Sequence, residues 1–167
     1  MMKAYIEQLM DYNYWANGLI LKYIEKLSED QFIEERTAFG DSLKGILTHV
    51  LFGEQLWLDR MQGRKMTREA MIKFFRPNKY PTLKPMISDW FDLELSMRSY
   101  MSDLNDSQLL STFKYSRTDS VEYESRRVDI FTQMVLHGMQ HRSECAVILT
   151  NLGHSPGNID YIVYLRG

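Results

Sequence analysis

The 167-residue chain holds a single cysteine, Cys145, so it can form no internal disulfide and no cysteine-based structural zinc cluster. That scarcity predicts a reducing, cytoplasmic setting and leaves histidine and carboxylate as the available metal ligands. An excess of charge is also missing. Twenty Lys and Arg against 22 Asp and Glu leave a net charge of -2, no footprint for nucleic acid or an anionic membrane. Long apolar runs are absent as well. The N-terminal MMKAYIEQLMDYNYW lacks the apolar core of a signal peptide, and no window approaches the roughly 18 apolar residues of a membrane helix. What is present is ordinary for a globular protein, 44% hydrophobic and 25% charged, in a length that fits one domain over residues 1–167.

Apolar residues step by four and three through Tyr5, Leu9, Tyr12, Ala16, Leu19 and Tyr23, with Ile20, Ile24 and Leu27 on the adjoining stripe. This predicts an amphipathic helix running to about Leu27. SEDQ from Ser28 resembles a capping box opening a short second helical piece, and AFGDS at 38–42 predicts a loop ending in an Asp or Ser cap. A long helix is predicted from Ser42 to about Met61, stopping after Gly63, with Ile46, His49, Gly53 and Leu56 beside Leu43, Leu47, Val50 and Trp57 on its core side.

RPNKYPTLKP, with three of the four prolines, predicts an irregular connection, and Pro85 suits the first position of a third long helix. Its seam is Met86, Trp90, Leu93, Met97, Tyr100 and Leu104. Phe113 and Tyr115, then Val121 and Tyr123, alternate with polar residues across RTDS at 117–120, which predicts a small exposed hairpin. A fourth long helix is predicted from about Asp129 to Leu152, ended by Gly153, before a tail with a short helical turn. The sum is an all-α fold, a four-helix bundle with a β-hairpin insertion before the last long helix.

Half of the four histidines lie in VLHGMQHRSECAVILT, four residues apart. Residues i and i+4 of a helix sit about 40° apart around it and about 6 Å along it, so His137 and His141 can converge on one ion. Both fall on the predicted stripe Ile130, Met134, His137, His141, Cys145, Ile148 and Leu152, which points the pair inward, and His49 is predicted to point inward from another helix. Three neutral imidazoles would leave a divalent metal its full charge and an open position, the arrangement of a catalytic site. HxxxH alone is a weak motif, and a lone inward histidine is usually a hydrogen-bonded core residue.

YNYWAN at Tyr12–Asn17, SLKGILTHVLFGEQLWLDR at Ser42–Arg60, HGMQHRSE at His137–Glu144 and the ending GHSPGNIDYIVYLR together resemble the DinB/YfiT-like superfamily of metalloenzymes over nearly the whole chain. The resemblance implies a four-helix bundle with one divalent metal, commonly zinc or nickel, held by one histidine of the second helix and the HxxxH pair of the last. These map onto His49, His137 and His141. It also implies frequent homodimers, and members that are metal- and thiol-dependent transferases or are labelled hydrolases. Where many relatives have HRGQ this chain has HRSE, which places the Glu144 carboxylate where an amide is usual.

Other residues carry two readings each. Gly53, one turn after His49, removes a side chain beside the proposed ion or serves close helix packing. Asn13 and Asn17 flank the first seam and either orient a ligand or are solvated. Cys145 reads as a small buried apolar residue before it reads as a ligand or nucleophile. Asp160 either reaches the mouth of the site or is a solvated turn residue, and His154 is expected in an exposed loop. Phe74 and Phe75, outside the main seams, are candidates to cover a second copy of the chain.

Three functions stay open. A thiol-dependent S-transferase would bind a low-molecular-weight thiol at the open metal position and attack a small electrophile. A hydrolase would use metal-bound hydroxide, with Glu144 as general base. A non-catalytic bundle would bind a small molecule or partner.

Overall fold

The computed structural model describes residues 1–37, 41–116 and 121–167. Four long helices carry the architecture: α1 (Met2–Ile24), α3 (Leu43–Met61), α5 (Leu83–Ser102) and α7 (Arg127–Asn151). Helix α1 packs on α7, α7 on α3, α3 on α5 and α5 on α1, so the four close a ring around a shared core. This is the expected bundle. Short helices α2 (Glu29–Ile33), α4 (Arg68–Phe74), α6 (Asp106–Leu110) and α8 (Tyr161–Tyr164) join or follow them, and strands β1 (Thr112–Ser116) and β2 (Glu122–Arg126) pair antiparallel before α7. The hairpin is therefore present, with Thr112 opposite Arg126 and Ser116 opposite Glu122; the RTDS turn, like most of the AFGDS loop, falls outside the described residues. No helix among the described residues is long and apolar enough to cross a membrane.

The helix boundaries follow from caps. At α2 the Ser28 hydroxyl accepts from the Gln31 amide at 3.2 Å while the Gln31 side chain accepts from the Ser28 amide at 2.9 Å, the reciprocal pair expected from SEDQ. Ser42 caps α3 by accepting from the Gly45 amide at 3.0 Å. At the far ends Gly63 and Gly153 adopt φ of 73° and 81°, and the Arg64 and His154 amides reach back to the Asp59 and Leu149 carbonyls at 2.8 Å each.

Several boundaries differ from expectation. Helices α4 and α6 fall in stretches for which no element is predicted; at seven and five residues they are too short for a 3.6-residue repeat to register, although Thr67 and Asn105 cap them. Pro85 is the third residue of α5, not the first, still in the turn whose N–H groups have no intrahelical partner. Helix α7 starts at Arg127 directly after β2, two residues before Asp129.

The larger correction concerns which faces are buried. In α1 the buried line is Ile6, Met10, Asn13, Asn17, Ile20 and Ile24 with Tyr12 and Ala16, while Tyr5 is exposed. In α3 it runs through Leu43, Leu47, Val50, Glu54, Leu58 and Met61, and His49 is exposed. In α7 it runs through Met134, Gly138, Arg142 and Cys145, with His137 and His141 half-buried on its flank. Each buried face keeps part of the expected stripe, Tyr12, Ala16, Ile20 and Ile24 in α1, Leu43, Ile46, Leu47 and Val50 in α3, and Ile130, Met134, Cys145 and Ile148 in α7, but is turned towards a polar residue at its centre. Only α5 matches closely, with Met101 replacing Tyr100 in the buried line.

Candidate metal centre

The histidines sit where α3 meets α7. His49 Nε2 and His137 Nε2 lie 3.0 Å apart, and the ring centroids of the three imidazoles are separated by 4.6 to 5.0 Å. One ring nitrogen from each lies within 4.8 Å of the others, so the three are positioned to hold a metal ion. Ligand nitrogens of a tetrahedral ion with bonds of about 2.05 Å stand about 3.3 Å apart, close to the 3.0 Å that separates His49 Nε2 from His137 Nε2. An all-imidazole donor set suits borderline metals such as zinc, nickel, cobalt and copper. The expectation of an inward-facing site is corrected: the cluster is at a rim, with one exposed and two half-buried rings.

Neighbouring residues fix those rings. A Cβ built on Gly53 would lie 3.4 Å from His137 Cε1 and 3.7 Å from its Nδ1, ordinary contact distances, so the imidazole lies directly over this residue. His141 Nδ1 is 2.7 Å from Glu144 Oε2. With the carboxylate accepting from Nδ1–H, Nε2 of His141 is left as the nitrogen with a free lone pair, the orienting role that a carboxylate beside a ligand histidine usually fills. Glu144, one turn beyond His141, thus has a partner inside the cluster. Partial burial, then the charge of His141, lowers the pKa of His49. The same causes with His49 added take His137 down to about 4. Both rings are therefore neutral near pH 7, the form that binds metal without first losing a proton.

Behind the cluster lies a buried polar chain of which the sequence showed only part. Asn13 is fully buried, Asn17 is 4% exposed, and Glu54 and Arg142 are each 2% exposed. Arg142 Nη1 donates to Asn13 Oδ1 at 2.6 Å and to Asn17 Oδ1 at 2.8 Å, and Asn13 Nδ2 donates to Glu54 Oε1 at 2.8 Å. Asn13 therefore relays the guanidinium of α7 to the carboxylate of α3 through α1. Burial pushes the Glu54 carboxyl up, while the Asn13 bond and the Arg142 charge pull it back. Gly138 makes the approach possible: a Cβ there would sit 2.6 Å from Arg142 Nη1 and 2.7 Å from Asn13 Oδ1. The reading of Asn13 and Asn17 as solvated is thus overturned, and among the described residues their hydrogen bonds run to Glu54 and Arg142. Glu54 and Arg142 were missed. The available signal was a charged residue at the centre of each helix's buried repeat, Glu54 four residues after Val50 and Arg142 four after Gly138.

The remaining candidates fall elsewhere. Asp160 is exposed at the N-cap of α8, its amide bonded to Asn158 Oδ1 at 2.9 Å, and it makes no hydrogen bond to an imidazole among the described residues. Cys145 is fully buried, and burial pushes its thiol up to about 12, which suits the apolar reading. His154 is half-buried just beyond the end of α7.

A helical bundle bearing three histidines from two facing helices, placed to hold a metal ion, defines a class of metal-binding protein. The DinB family model matches residues 1–167, and the chain belongs to that family. It is 24% identical over 166 residues to Protein DinB of Bacillus subtilis (strain 168), a match that covers 98% of this chain and 95% of that protein.

Proposed function

We propose that this chain is a divalent-metal-dependent enzyme that transfers a small thiol onto an electrophilic substrate, with His49, His137 and His141 holding zinc or nickel. The observation that carries the reading is the ligand count: among the described residues, three imidazole nitrogens converge and no cysteine or carboxylate joins them as a fourth. Glu144 is engaged with His141 Nδ1, and Cys145 is sealed in the core with its thiol protonated at neutral pH. The chain thus offers no thiol nucleophile at this site, so a cosubstrate must bring one. A bound ion would supply a Lewis acid that favours the thiolate form of a thiol with an ordinary pKa near 8.5. The protein's part is to present neutral imidazoles, hold His141 through Glu144, seat His137 against Gly53 and keep the cluster open to solvent on the His49 side.

A second reading, hydrolysis of a small ester or amide, draws support from Glu144, a carboxylate with 42% of its side chain exposed beside the cluster. A third, a non-catalytic bundle, is an outcome of the same test. Elemental analysis of protein purified without added metal is expected to find about one zinc or nickel per chain, dropping to near zero in a His137→Ala, His141→Ala double variant that keeps its helical signal. In cobalt-loaded protein at pH 7, a biological thiol is expected to produce a saturable sulfur-to-cobalt absorption band that His49→Ala removes. Ester hydrolysis with no thiol effect on the spectrum would select the second reading, and a metal content unchanged in the double variant would remove the site.

A further inference from the structure

We propose that the buried chain Arg142–Asn13–Glu54 is the positioning element of the histidine cluster, fixing the rotation of α7 and α3 about their own axes and with it the distance of His49 from His137 and His141. Each histidine stands close in sequence to a member of that chain or to its seat: His137 precedes Gly138, His141 precedes Arg142, and His49 comes five residues before Glu54. At about 100° per residue, His137 and His141 each lie one such step round α7 from the buried residue that follows. On α3 the same step leads from Glu54 back to Gly53, over which His137 lies, and His49 is about 40° further round in that sense. Turning Arg142 and Glu54 into the core therefore decides where the imidazoles emerge.

An apolar seam alone would fix this loosely. Leu and Ile contacts are non-directional, and an imidazole nitrogen about 6 Å from the helix axis moves about 1 Å for each 10° or so of rotation. Ligand distances in a metal site hold within about 0.2 Å. The buried hydrogen bonds are directional and tie three helices together. Arg142 Nη1 donates to both Asn13 and Asn17 of α1, at 2.6 and 2.8 Å, and Asn13 Nδ2 donates onward to Glu54 at 2.8 Å. Arg142 cannot turn away from α1 without leaving Glu54, a carboxylate 2% exposed, short of its counter-charge. Gly138 holds the same register from the backbone side: a Cβ there would collide with Arg142 Nη1 and Asn13 Oδ1, so α1 is seated on α7 at the residue after His137. Charges this deep are costly as stability elements, and fixing one register is the use in which buried polar groups are best attested. The benefit to a metal rests on the proposed function; the placement of the rings does not.

The test compares full chains at pH 7 by three readouts: zinc affinity in competition with a chromophoric chelator, the cobalt d–d spectrum, and the nuclear Overhauser contact between the His49 and His137 rings of the metal-free protein, whose Nε2 atoms lie 3.0 Å apart. The Glu54→Leu, Arg142→Leu double variant removes both charges together, and Gly138→Ala sets one methyl group against Asn13 and Arg142. Each is expected to bind zinc about tenfold more weakly, to change the cobalt spectrum and to lose the ring contact. Should the double variant not fold, Asn13→Leu breaks the same link at its middle. Met101→Ala opens a cavity in α5, a helix that carries no histidine, and is expected to lower stability while leaving all three readouts at wild-type values. Folded network variants that keep the ring contact and wild-type zinc affinity overturn the positioning role, as does a Met101→Ala chain that loses as much of both. A wild type that takes up no metal overturns the proposed function alone; the ring contact, lost in the network variants and kept in Met101→Ala, still supports the positioning.

Discussion

His137 is held neutral by its surroundings, and that makes it a sensitive residue in the metal-free protein. A pKa of about 4 in the folded chain against an ordinary 6.5 means that the unfolded state takes up a proton at a higher pH than the native one does. With more protons on the unfolded chain between those values, stability rises with pH there: the contribution is complete above about 6.5 and is lost as pH falls towards 4. Metal-free protein is thus expected to melt at a lower temperature at pH 5 than at pH 7, and His137→Gln should flatten that slope while Asp160→Asn leaves it alone. An unchanged slope in the glutamine variant would sink this account of the ring. At this scale much was legible: the spacing of His137 and His141, the space at Gly53 and the departure at Glu144 all stand in the sequence and meet in the cluster. Asp160 did not, because nothing in its neighbours says which way the tail leaves α7.

Helix by helix, the sequence identified four long elements and set the faces of three partly off, for one shared reason. A 3.6-residue repeat is read from apolar residues, so a seam whose centre is Asn13 and Asn17, Glu54 or Arg142 looks like a polar edge, and the apolar stripe beside it is taken for the core. The histidines were drawn inward by that rotation. Helix α5 has no such residue in its seam, and its face was read almost residue for residue. These polar centres are tolerable only together, since a lone buried charge costs several kcal/mol and a buried pair with good hydrogen bonds far less. Arg142→Leu and Glu54→Leu should therefore each lower the unfolding free energy by about 3–5 kcal/mol, because each leaves the other's charge uncompensated. The double variant should be less destabilised than either single one, a coupling readable in urea melts. Additive losses would mean that Asn13 does not link the two charges.

For the molecule as a whole, the resemblance implies a homodimer, and the structure offers a second candidate surface beside the one the sequence suggested. Phe74 and Phe75, the first candidates to cover a neighbour, pack on Phe52 of their own chain at centroid distances of 5.1 and 4.6 Å, and Phe75 keeps 45% of its surface exposed. One group of exposed apolar residues lies on the outer side of α7: Leu136, Met139 and Val147, within about 80° of one another around the helix. Scattered exposed apolar side chains are normal, but three on one side of the longest helix form a stripe of the kind an isologous interface buries against its own copy. Leu136 immediately precedes His137, so such an interface would border the metal centre and limit what enters it from that side. Light scattering at tens of micromolar is expected to give about twice the 19.8 kDa chain mass, and Leu136→Glu with Val147→Glu is expected to return it to one. The helical signal of that variant should be unchanged, since neither side chain belongs to the core. A wild-type mass of one chain across the whole concentration range would rule the dimer out, and a dimer that survives both substitutions would place its interface away from α7.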